Sequence, residues 1–81
     1  MQTLQILKNI QISEVWFDES KVYFNLKDGR IIGSPLSWFP RLQNADSNQR
    51  QQWRLIGKGT GVHWEEIDED LSVEGIFFYQ G

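Results

Sequence analysis

The residues best suited to chemistry crowd into one stretch, G-T-G-V-H-W-E-E-I-D-E-D, at positions 59–70. It holds the chain's single histidine, His63, beside Glu65, Glu66, Asp68, Glu69 and Asp70. Such a set suits metal binding, acid–base catalysis or the capture of a cationic partner. Zinc usually wants three or four nitrogen or sulfur ligands, and this chain offers one imidazole and no cysteine. A calcium loop of the EF-hand kind needs alternating acids and a turn glycine, whereas the run from Glu65 places Leu71 near its turn. Acid–base work could draw on pairs such as Glu65 and Asp68, but carboxylates crowded in sequence are common on solvated faces. No serine sits in a G-x-S-x-G elbow. The glycines of G-K-G-T-G at 57–61 match neither a Walker loop nor a dinucleotide fingerprint, so they read as a hinge or flexible connector. The reading therefore expects no catalytic residue, no metal and no cofactor.

Charge distribution bears on the third option. Of eight Lys and Arg and eleven Asp and Glu, all eight cations and five acids fall in residues 1–58, leaving +3 there. Residues 59–81 carry six acids and no Lys or Arg, hence −6. Such asymmetry hints at a binding surface, with internal pairing between the halves as the competing account. The exposed candidates for meeting a basic protein are Glu65, Glu66, Glu69 and Asp70. Nucleic acid is disfavoured as a partner because the domain is acidic overall. The alternative reading is a transcription-associated accessory that meets DNA through Arg41, Arg50, Arg54 and Lys58, with Trp38 and Trp53 interleaved.

Eighty-one residues are read as one domain, 1–81, with a modest core enlarged by four Trp, five Phe and two Tyr. The first ten residues lack a signal-peptide apolar run, no stretch is long enough to span a bilayer, and a cytoplasmic location is expected. Ile10–Phe17 alternates, with a change of face near Ser13 that calls for a bulge or break. Lys21–Lys27 is the cleanest strand, Asp28-Gly29 is a hairpin signal, and Arg30–Gly33 returns. Ser34 is an expected N-cap with Pro35 at the first helical position. Trp38, Leu42 and Ala45 then share a stripe in a helix that Pro40 leaves short or kinked. Asp46 and Gln49 form a capping-box pattern opening a second helix, read as running to Gly57. Gly61–Trp64 is a candidate extended piece, and Leu71–Tyr79 a helix or short strand, with a helix favoured. The expected fold is α+β: a small three-stranded antiparallel β-meander, two short helices, and a C-terminal extended or short helical segment.

Two blocks carry a family resemblance: P-L-S-W-F-P-R-L at 35–42 and G-x-G-V-H-W-x-x-I-D-E-D at 59–70. Together, at this spacing, they resemble the bacterial family catalogued as domain of unknown function 2442. The match runs from about Val15 to Ile76. The resemblance implies a compact α+β domain without established catalytic activity. It further implies that members stand alone, are fused to a helix-turn-helix module, or are encoded beside a small toxin-like protein. That context suggests an antitoxin-like or regulatory role. Among the matched positions, apolar packing does not account for Arg41, His63, Asp68 and Asp70. They are expected to form a structural polar network, Arg41 pairing with Asp68 or Asp70 and His63 bonded nearby. The competing account has them line a groove for a partner's cations.

Overall fold

The protein is described from a computed structural model over residues 10–78; residues 1–9, most of the stretch read above as lacking a signal peptide, and residues 79–81, the end of the expected single domain, lie outside the described residues. Two three-stranded antiparallel sheets make up the body. The first is a meander of β1 (Ile12–Phe17), β2 (Lys21–Leu26) and β3 (Ile31–Pro35). A 3-10 turn at Leu36–Trp38 and two one-turn helices, α1 (Pro40–Gln43) and α2 (Ser47–Arg50), lead to a second meander. Its strands are β4 (Trp53–Ile56), β5 (Gly61–Trp64) and β6 (Glu69–Ser72), and α3 (Val73–Phe78) follows.

The first sheet follows its local signals. Val22, Phe24 and Leu26 alternate inward along β2 and are almost fully buried. A register shift between Ile12 and Glu14 supplies the bulge near Ser13. Because of it, Ile12 and Val15 both reach the core, where a regular strand would send them to opposite faces. Gly29, at φ +98°, closes the β2–β3 turn. On the outer face Trp16 stacks on Tyr23 at 5.6 Å, and Tyr23 in turn covers Gly33, where a Cβ would lie 2.9 Å from its ring.

The middle of the chain departs from the expected helices. Ser34 caps nothing: it is buried in β3, and Pro35 ends that strand. Phe39, at φ −128° and ψ 83°, interrupts the expected helix, so Pro40 does not sit inside it but starts α1 at the position where its missing N–H costs no bond. The capping box is present: the Gln49 N–H donates to Asp46 Oδ1 at 2.8 Å, and the Asp46 N–H donates to Gln49 Oε1 at 3.0 Å. The helix it opens ends at Arg50, however, not at Gly57. Residues 53–56 form β4 instead, because Trp53 and Leu55 alternate inward opposite Trp64 and Val62. Pairing with β5 outweighs the weak helical stripe of a polar segment.

The glycine-rich connector is packed. Gly57, Lys58 and Gly59 all take left-handed backbone, and Gly59 is buried against β1, where a Cβ would meet the Ile12 carbonyl at 2.7 Å. Leu71 belongs to β6, and the C-terminal helix starts only at Val73. The two sheets share one core: Ile12, Val15, Val22, Phe24 and Leu26 from the first, Val62 and Trp64 from the second. Leu36, Phe39, Leu42, Val73 and Ile76 close it. Each such apolar side chain contributes roughly 1.5–3 kcal/mol when fully buried. No helix among the described residues is long and apolar enough to cross a membrane.

Candidate functional site, an acidic hairpin rim

The acidic stretch folds as the hairpin of β5 and β6. Along β5, Val62 and Trp64 point into the core, so the alternation sends His63 outward between them. The turn occupies residues 65–68. Asp68 takes φ +54°, a conformation aspartate tolerates better than most side chains, and its N–H donates to the Glu65 carbonyl at 3.3 Å. Trp64 fixes the hairpin to the helical layer, its indole Nε1–H donating to the Arg50 carbonyl at 3.0 Å.

Register then builds a polar row across the outer face of the second sheet. Arg54, His63 and Asp70 are successive cross-strand partners. His63 Nδ1 lies 2.6 Å from Asp70 Oδ1, and its Nε2 lies 3.3 Å from Glu65 Oε1. The same Glu65 oxygen is 3.3 Å from Arg54 Nη2. The imidazole is mostly covered, at 17% exposure, whereas the Glu65 and Asp70 side chains are 77% and 70% exposed.

Arg41 makes a separate tie. Its Nη1 donates to the Asp68 carbonyl at 2.5 Å, while the Asp68 carboxylate is 3.8 Å away and 92% exposed. The backbone carbonyl is thus the real partner, and the carboxylate faces solvent. Ile67 packs beside it, lining a groove with Pro40, Arg41, Asn44 and Ala45. Arg41–Asp68 and His63–Asp70 are therefore two distinct contacts at either side of the turn. Among the remaining acids, Glu69 is half-buried and accepts the Asp70 N–H at 3.2 Å, and Glu66 is exposed on the turn.

The cations of the DNA-contact alternative are distributed differently. Arg50 donates from Nε to the Leu42 carbonyl at 2.9 Å and from Nη2 to the Gln43 carbonyl at 2.8 Å, and lies 5.7 Å from the centre of the Phe17 ring. It caps the C-terminal carbonyls of α1. Arg41 and Arg54 are engaged with the acidic turn, and Lys58 is exposed on the Gly57–Gly59 turn. Arg41, Arg50 and Arg54 thus serve as internal ties.

Among the described residues, no group of three or more His, Asp or Glu side chains is gathered as a metal site. The displaced carboxylate titrations lie on the first sheet. Hydrogen bonds from the Tyr23 hydroxyl (2.5 Å) and from the Ser20 and Lys21 N–H groups hold the Asp18 carboxyl below the usual range; the Tyr23 phenol is pushed up in return. Arg30, donating to Asp28 from Nε at 2.9 Å, holds Asp28 low as well. The bridging role of Glu65 and the pairing of Arg54 with it were not legible in the sequence. Both depend on a strand, β4, whose local pattern is helical.

Fold and site thus define a small α+β domain whose two antiparallel sheets carry a charged hairpin rim. The chain belongs to the family described as protein of unknown function (DUF2442), whose model matches residues 12–80. It is similar to a protein of unknown function from Rhodospirillum rubrum known from a crystal structure, 27% identical over 85% of this chain and 86% of that one, with a TM-score of 0.73. It also shares its fold with an uncharacterized protein from Chromobacterium violaceum solved by NMR in solution. That protein is 22% identical over 94% of this chain and 71% of that one, at a TM-score of 0.74. No curated protein matches the chain.

Proposed function

We propose that the chain is a non-catalytic, cytoplasmic protein-binding module, an antitoxin-like regulatory partner that receives a small basic protein on its acidic rim. One observation carries the reading. Five carboxylates lie at residues 65–70. Among the described residues Arg54 pairs with Glu65, and His63 meets Glu65 and Asp70. Arg41 holds the Asp68 backbone carbonyl while the Asp68 carboxylate faces solvent. Exposed pairs of this kind are worth only about 0–1 kcal/mol each, so an incoming cation competes with them at little cost. Glu65, Glu66, Glu69 and Asp70 are the contact residues in this account, while Arg41, His63 and Asp68 shape the turn. Complementary charge would accelerate the encounter and select against acidic partners.

The test is co-expression with a small basic protein encoded beside the gene. The expected result is a complex that survives purification and is broken by charge reversal at Glu65, Glu66 and Glu69. Absence of a complex, or one indifferent to those reversals, defeats the proposal.

A further inference from the structure

The outer face of the second sheet holds a second feature beside the His63 row. Ile56, Gly61 and Ser72 are the next cross-strand row, and with Thr60, Asp70 and Leu71 they line a shallow cavity of about 390 Å³. Gly61 contributes no side chain to its floor: a Cβ there would lie 3.1 Å from both Ile56 Cγ1 and the Leu71 carbonyl. Ile56 is a partly exposed apolar wall. Asp70 stands at the rim, where its two oxygens have different surroundings. Oδ1 is held by His63 Nδ1, and Oδ2 takes no hydrogen bond among the described residues. His63 thereby holds one carboxylate oxygen and leaves the other free to accept from a donor at the cavity rim. The facing charged groups are Arg54 and Glu65, which are bound to each other.

The geometry points to this cavity as a pocket for a single arginine or lysine side chain of the basic partner, an inference that rests on the binding role proposed above. Long cationic side chains lay their methylene stems on apolar surface and keep the charged head at a carboxylate. Ile56 supplies that surface and the Asp70 carboxylate supplies the charge. The Thr60 and Ser72 hydroxyls are engaged locally, Thr60 donating to the Gly57 carbonyl at 2.9 Å and Ser72 accepting the Gly75 N–H at 3.0 Å. The rim acids would steer the partner, and the pocket would fix its register on the sheet.

The experiment is a titration of the 15N-labelled protein with acetyl-Ala-Arg-Ala-amide, and with the same peptide carrying citrulline, which keeps the shape and loses the charge. The arginine peptide is expected to move the amide signals of Ile56, Gly61, Asp70, Leu71 and Ser72, and the citrulline peptide to move them at least fivefold less. Asp70→Asn, which retains an oxygen for His63, should abolish the pocket response, and Ile56→Thr should weaken it about threefold. Equal responses to both peptides overturn the pocket. Shifts confined to residues 65–68 also overturn it, while leaving the acidic rim as the contact. No shifts at either place at low salt would overturn the pocket and count against the rim as well.

Discussion

Replacing Trp64 with Phe tests the join between the acidic hairpin and the rest of the molecule. Trp64 has no exposed surface, meets Phe17 edge-on at 6.4 Å, and gives its indole N–H to the Arg50 carbonyl. Phe keeps one ring and the strand preference but loses the donor. The lost hydrogen bond costs about 0.5–1.5 kcal/mol, with the partly buried carbonyl left unsatisfied. The vacated volume adds roughly 1–2 kcal/mol, well short of the 3–5 kcal/mol typical of truncating Trp to Ala. Together they predict a loss of about 1.5–3.5 kcal/mol. For a domain of this size that lowers Tm by roughly 6–28 °C. Urea unfolding followed by far-ultraviolet circular dichroism measures the loss without interference from the other tryptophans. Trp16→Phe is the control, since Trp16 stacks on Tyr23 at the surface and should cost under about 1 kcal/mol. A Trp64→Phe loss below about 0.5 kcal/mol, or equal to the control's, would refute the anchoring role.

The other predictions concern backbone and charge. Gly59→Ala should destabilise by more than about 1 kcal/mol, because its φ is +96° and a Cβ would strike the Ile12 carbonyl; Lys58→Gly, at φ +59°, should stabilise by about 1 kcal/mol. Thermal melts of the two variants check both signs. Asp18 titrates below its ordinary value in the fold, so its contribution is present above about pH 3.9 and is lost as pH falls through the folded value. Tyr23 is displaced upward, so its share is present below about pH 10 and disappears as pH rises through its raised value. Tyr23→Phe should flatten the alkaline limb of a stability–pH profile and shrink the acid limb. Some acid dependence should remain from Asp28, which Arg30 holds low.

How far the sequence could be read follows from which signals were local. The β2 alternation, the Asp28-Gly29 turn, the bulge near Ser13 and the Asp46–Gln49 capping box each involve neighbours within a few residues, and each is present in the fold. The second sheet is different. Trp53 and Ile56 at a spacing of three mimic one helical face, and the acidic β6 residues Glu69 and Asp70 are poor strand formers. Only pairing with β5 makes strands of them, and a pairing register cannot be read from either segment alone. The site inherits the same limit. The cluster of His63 with carboxylates is visible in the sequence, but His63 meets Asp70 through the hairpin register and meets Arg54 through β4. Arg41 reaches Asp68 across 27 residues, through its backbone carbonyl rather than its charge.

The central claim, that the acidic rim is a specific receptor for cations, is tested most directly by placing equal charge changes at two locations. Glu66→Lys/Glu69→Lys on the hairpin and Glu14→Lys/Glu19→Lys on the first sheet alter the net charge identically. Calorimetric titration with nona-arginine at low salt should show binding that weakens at least tenfold in the hairpin variant and at most about twofold in the other. Equal losses in the two variants would mean that net charge alone attracts the peptide, and would contradict the account.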